Sequence, residues 1–206
     1  MAEYRTIEGS ARCTYEEKKS RFLALASFAD TEDAALAVLN GVRAANRTAR
    51  HNVYAYVLRR DGRTRYSDDG EPAKTAGTPV LETIAHAGLT DVIVVVTRYF
   101  GGILLGTGGL VRAYTAAAAG ALAAASVVTV REVVICRAAL PYPLYEPVER
   151  LVRQAGGRLA EPEFGAAVAL SWRMPAGQEG ALCRAVTELS RGTVSVSVSA
   201  PVFAPY

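Results

Sequence analysis

Residues 98–109, Arg-Tyr-Phe-Gly-Gly-Ile-Leu-Leu-Gly-Thr-Gly-Gly, carry five glycines between a β-branched run at 91–97 and an alanine-rich segment at 110–125. The β-branched run predicts a strand buried on both faces, and the alanine-rich segment predicts a strong helix. The order is strand, glycine loop, helix. Each glycine disfavours the folded state by roughly 0.4–1 kcal/mol relative to alanine through unfolded-chain entropy. Such a loop therefore needs positive φ values, or a close approach of its backbone to something. In one reading Gly106, Thr107, Gly108 and Gly109 expose backbone N–H groups at the start of a long helix, where free donors and the helix dipole favour an anion. Arg98 and Arg112 then supply charge, and a phosphate or carboxylate site follows. In the other reading the loop folds tightly on its own domain. Two phosphate motifs are excluded: Gly101 and Gly106 have P-loop spacing, but Thr107 stands where the lysine belongs and Gly108 where Ser or Thr belongs. The dinucleotide spacing fails as well, because Gly106 and Gly108 are followed by Val111.

Upstream, residues 21–28 read as a strand. Asp30 or Thr31 then caps a helix with Ala35, Val38, Leu39 and Val42 on one stripe. Residues 53–59 and 64–67 form an antiparallel pair about the Asp61-Gly62 turn. The polar segment 67–77 is a loop, after which Thr78 caps a helix that has Pro79 at its first position and ends at Gly88. The texture changes at Val127. The remainder reads as strand 132–140, helix 144–154, strands 158–163 and 166–173, helix 177–190 and strand 193–199. This β-α-β-β-α-β order predicts a ferredoxin-like domain. The fold class is α+β, with an N-terminal domain over 1–126 and a C-terminal domain over 127–206.

Composition narrows the function. Half of the 206 residues are hydrophobic and 21% are charged, as in globular chains. No apolar run is long enough to span a bilayer, and the polar opening Met1-Ala2-Glu3-Tyr4-Arg5 has no secretory pattern. A cytoplasmic protein with no membrane contact is expected. Cys13, Cys136 and Cys183 are widely spaced, so they read as reduced structural thiols and not as a metal or redox centre. Net charge is only +3, with local basic groups at Arg43, Arg47 and Arg50 and at Arg59, Arg60, Arg63 and Arg65.

The loop at 67–77 gathers Asp68, Asp69, Glu71 and Lys74 behind a strand that begins near His51 and Asn52. Carboxylates beside a histidine suit acid–base chemistry, so His51, Asp68, Asp69 and Glu71 are candidate catalytic residues. The plainer reading is a solvated turn whose aspartates cap their own backbone. No metal site and no cofactor are expected, and no nucleophile elbow or zinc motif occurs.

The matching runs are Lys19-Ser20-Arg21-Phe22, His51-Asn52-Val53-Tyr54-Ala55-Tyr56, Ser67-Asp68-Asp69-Gly70-Glu71-Pro72, Thr75-Ala76-Gly77, Arg98-Tyr99-Phe100-Gly101-Gly102, and Leu105-Gly106-Thr107-Gly108-Gly109 continuing through Arg112 to Tyr114. On these the chain resembles the YigZ/IMPACT family over about its first 120 residues. The other 80 agree with the family's bacterial C-terminal domain in length and strand order. Two positions depart from the pattern: Arg50 stands where threonine is usual, and Ala73-Lys74 where small residues are usual. The resemblance implies an N-terminal domain folded like a small-subunit ribosomal protein domain, elongation factor domain IV and the GHMP kinases. For the C-terminal part it implies a ferredoxin-like domain similar to one near the end of the translocation elongation factor. It also implies translational control or nucleic-acid binding, favouring binding over catalysis.

Three functions compete. The first is a translation-associated module that holds RNA or the ribosome through the glycine loop, with Arg98, Arg112, Gly101, Gly102 and Gly106 to Gly109 at phosphate and Tyr99 and Phe100 stacked on bases. The second is an enzyme or binding protein for a phosphorylated or carboxylated small molecule, which requires His51, the acidic loop and the glycine loop to converge on one cleft. The third is a protein–protein scaffold.

Overall fold

The computed structural model describes residues 3–206, so Met1 and Ala2, where the secretory-pattern reading begins, lie outside the described residues. The chain is a mixed α+β protein that divides into two compact units, Tyr4–Thr129 and Val130–Tyr206 together with residues 1–3. In chain order the first unit carries β1 (Glu3–Glu8), β2 (Ser10–Glu17), β3 (Ser20–Phe28), α1 (Glu32–Ala45), β4 (His51–Val57), β5 (Thr64–Ser67), α2 (Gly77–His86), β6 (Val92–Tyr99) and α3 (Thr107–Ala123). An antiparallel sheet runs β2-β3-β6-β4-β5.

The central strand β6 is apolar on both faces because both are covered. Val92, Val94 and Val96 pack with Val80 and Ile84 of α2 and with Ala113, Ala117 and Ala121 of α3. Ile93 and Val95 point the other way, against Ala35 and Leu39 of α1. This alternation is the strand period of two, and each fully buried valine contributes about 1.5–3 kcal/mol. Helix α1 starts where expected, with Thr31 Oγ1 accepting the Ala34 N–H at 3.2 Å.

The structure corrects the sequence reading at three places. The hairpin of β2 and β3 was legible only in its second strand. Thr78 does not cap α2: the helix begins one residue earlier, and Asp68 supplies the capping carboxylate. At the C-terminus, 193–199 is not one strand. Thr193 Oγ1 donates to the Ser190 carbonyl at 2.7 Å, and Ser190 Oγ accepts the Val194 N–H at 3.2 Å. That turn leaves only a short strand at 197–198, followed by another at 202–205.

The second unit continues with β7 (Ser126–Leu140), α4 (Tyr142–Gln154), β8 (Arg158–Leu159), β9 (Glu163–Phe164), β10 (Val168–Pro175), α5 (Glu179–Leu189), β11 (Ser197–Val198) and β12 (Val202–Pro205). Strand β10 pairs with β7 along its whole length and with β8 and β9 on its other edge, while β11 and β12 pair with the far edge of β7. Val148 and Val152 of α4 and Leu182 and Val186 of α5 enclose Trp172, Leu170 and Leu140. Burial pushes the Cys136 thiol up to about 11, so this cysteine behaves as a small core residue. Among the described residues no helix is long and apolar enough to cross a membrane.

Candidate functional site

Each carboxylate of the acidic loop has a defined task in the structure. Asp68 Oδ1 accepts the N–H groups of Ala76 and Gly77 at 3.1 and 2.8 Å, and its Oδ2 accepts that of Lys74 at 2.9 Å. It thereby closes the loop onto the start of α2, where free N–H groups favour an anion. Asp69 Oδ2 accepts the Asn52 N–H at 2.6 Å and its Oδ1 faces Arg43 Nη2 at 3.0 Å, tying the loop to β4 and α1. The Asp69 carbonyl sits 2.9 Å from His51 Nδ1. A carbonyl only accepts, so that nitrogen bears the proton. Asp69 at φ 44° and Lys74 at φ 63° hold the left-handed conformations this closure demands.

Glu71 goes inward. Arg98 Nη1 donates to both of its oxygens at 2.7 and 3.0 Å, and the Tyr114 hydroxyl donates to one of them at 2.8 Å. The side chains of Arg98 and Glu71 are only 8% and 3% exposed. Burial first, and the Glu71 carboxylate second, push the Tyr114 phenol far up, so it remains a donor. The expectation that Arg98 offers free charge to a ligand is corrected here, because Glu71 already neutralises it. One donor remains: Arg98 Nε is buried and has no hydrogen-bond partner among the described residues. An unsatisfied N–H on a buried charged group costs roughly 1–3 kcal/mol or more.

Arg98 forms part of the wall of an open cleft of about 670 Å³, together with Arg50, His51, Tyr99, Phe100 and Leu104. Its guanidinium carbon lies 5.6 Å from the Phe22 ring centroid and 5.7 Å from that of Phe100, within cation–π range. Tyr99 is half-buried, and its hydroxyl donates to Asn46 Oδ1 at 2.9 Å. Phe100 is 56% and Leu104 82% exposed, an apolar edge beside basic residues.

The glycines split into two roles. Gly101 approaches the β2–β3 turn so closely that a Cβ there would lie 2.0 Å from the Lys19 carbonyl carbon. Its N–H is held by Ser20 Oγ at 3.2 Å. Gly106, at φ 72°, is the residue before α3 and offers no side-chain cap, which leaves the first N–H groups of the helix open. Gly108 lies beside Arg112, since a Cβ added there would meet Arg112 Nη1 at 3.6 Å.

The structure brings His51, Arg98, Tyr99 and Phe100 together at the cleft, with Asp69 and Glu71 bonded directly behind His51 and Arg98. Gly101 and Gly102 follow in the loop. Asp68 stands apart at α2, and Gly106, Thr107, Gly108, Gly109 and Arg112 form the start of α3 without lining the cleft. Sequence reasoning did not single out Arg50 and Leu104 as cleft residues. Their signals were adjacency to His51 and exposure of a leucine within the glycine loop.

Comparison with known proteins covers both units. Residues 18–122 match the Impact N-terminal domain and residues 139–193 match a domain of unknown function, DUF1949. An IMPACT family member of Thermus thermophilus, from the pol 5′ region, is 42% identical over 180 residues, covering 87% of this chain and 98% of that protein. The IMPACT family member YigZ of Escherichia coli is 36% identical over 186 residues, covering 88% and 90%. A crystal structure of a hypothetical protein superposes with a TM-score of 0.63 at 33% identity, over 95% of this chain and 97% of that one. With matches of this extent along most of its length, the chain belongs to the YigZ/IMPACT family.

Proposed function

We propose that this chain is a cytoplasmic, translation-associated RNA-binding module whose contact surface is the cleft at the ends of β4 and β6. The observation that carries this reading is the meeting of Arg50 and the unpartnered Arg98 Nε with the exposed Phe100 and Leu104 on one open wall. Cationic groups hold the phosphate backbone and exposed aromatics stack on unpaired bases, the combination single-stranded RNA requires. The exposed turn Lys18-Lys19 abuts Gly101, next to Phe100, and extends the basic surface. The four-stranded arrangement of the second unit, with β11 and β12 beside β7, then β10, then β8 and β9, supports a ferredoxin-like domain. The family's likeness to ribosomal-protein and elongation-factor domains points the same way.

An acid–base enzyme would also need His51, Asp69, Glu71 and Arg98 to converge, and they do. It would further need a carboxylate free to take or give a proton. Asp68, Asp69 and Glu71 instead each accept two or three hydrogen bonds that hold the fold. Binding is therefore the better reading.

The test is a titration with labelled single-stranded RNA, double-stranded RNA and ribosomes at several salt concentrations, comparing the wild type with Arg50→Ala and Phe100→Ala. Affinity for single strands should fall as salt rises, and Phe100→Ala should weaken it about 5- to 100-fold, the worth of one stacked base. Salt-independent binding that both variants retain would count against the cleft. Arg98→Ala is unsuitable, because it strands Glu71.

A further inference from the structure

We infer that the cleft takes a single nucleotide unit, with its phosphate against Arg98 Nε and Arg50 and its base against Phe100; this rests on the RNA-binding reading and narrows it to one ligand class. The Arg98–Glu71 pair is neutral as a whole, so it contributes little net attraction. What it contributes is direction. Nη1 is committed to both Glu71 oxygens and the guanidinium sits between the Phe22 and Phe100 rings, so its plane is fixed. Nε, on the edge of that plane, has no partner, and the same residue forms part of the cleft wall. A fixed, buried N–H facing no acceptor is completed by a ligand oxygen. Arg50, exposed and without an ion pair among the described residues, supplies the positive charge.

The size of the ligand follows from the geometry. The Arg98 guanidinium carbon and the Phe100 ring centroid are 5.7 Å apart, so one ligand touching both must carry an anionic group and a flat apolar group in close succession. A free phosphate reaches only the first. A mononucleotide reaches both, and the cleft of about 670 Å³ lies within the usual range for small-molecule sites. Leu104, 82% exposed on the same wall, gives the base an apolar edge.

The experiment uses the full chain with AMP, UMP, adenosine and inorganic phosphate, read by calorimetry and by displacement of labelled single-stranded RNA. AMP and UMP should bind at one site and displace the RNA. Adenosine and inorganic phosphate should each bind at least 10-fold more weakly. Phe100→Ala should weaken AMP about 5- to 100-fold and leave inorganic phosphate unchanged, while Arg50→Ala should weaken both. If RNA binds with salt dependence but no mononucleotide displaces it, the single-nucleotide site is wrong and the RNA reading stands. If mononucleotides bind as described and RNA does not, the site stands and the RNA reading falls. If Phe100→Ala leaves AMP affinity unchanged, the placement of the base is wrong. Circular dichroism of both variants guards against an unfolding artefact, and both substitutions lie on exposed side chains.

Discussion

The first unit uses the same chemistry twice, at opposite extremes of exposure. Glu71 receives Arg98 and the Tyr114 hydroxyl, and Glu32 receives Arg63, Arg65 and the Tyr56 hydroxyl. The Glu71 side chain is 3% exposed and its arginine 8%, whereas Glu32 is 26% exposed and its arginines 48% and 59%. Water solvates the Glu32 cluster whether or not it is assembled, so each pair there adds little. The Glu71 group has no such substitute, and every atom left unpaired in it is a cost. Arg98 Nε is such an atom, and it lies in a cleft wall. The contrast teaches that counting ion pairs says little about function, while an incomplete buried pair marks a place where something else can bind.

The sharpest way to break this comparison is to remove the buried carboxylate. Glu71→Ala leaves the Arg98 charge buried without its partner and should cost roughly 3–5 kcal/mol, read from urea or guanidinium midpoints at pH 7. Replacing both members with apolar residues, Glu71→Leu with Arg98→Met, should restore a large part of that loss while abolishing nucleotide binding. Recovery of binding together with stability would contradict the role given to Nε. Tyr114→Phe comes next: it removes one donor to a buried carboxylate and should cost about 1.5–3 kcal/mol. Tyr56→Phe, opposite the exposed Glu32, should cost less, so equal losses from the two tyrosines would erase the distinction drawn from burial.

What could be read beforehand follows the same division. Strand β6, helix α3 and the glycine loop were legible because periodicity and glycine content are local properties. The partners of Glu71 were not, since Arg98 lies 27 and Tyr114 43 residues away, and nothing in a sequence pairs such positions. The acidic loop looked like a solvated turn because its residues are polar, yet folding turns Asp68 onto a helix start and Glu71 into the core. The hairpin of β2 and β3 was hidden for a different reason. Glu17 pairs with Ser20, so the turn is Lys18-Lys19, at φ 45° and 65°, where Asn-Gly is the usual signal. Gly101 is what allows that turn to pack, and the glycine loop thus serves the fold at Gly101 while Phe100 beside it faces the cleft.

The smallest expected effect is at Glu32. The Tyr56 hydroxyl, then Arg65, hold its carboxyl below the usual carboxylate range, against some desolvation that works the other way. A folded-state value below the unfolded one means that the contribution is present above the unfolded range, near about 4.3. It is lost as pH falls through the folded value. Glu32→Gln should therefore shift the urea midpoint only slightly at pH 7, and the difference from the wild type should vanish near pH 3. Side-chain entropy and solvent screening keep an exposed cluster weak even when three donors meet one carboxylate. A Glu32→Gln loss at pH 7 as large as that of Glu71→Ala would show that the number of donors, and not burial, sets the strength of both groups.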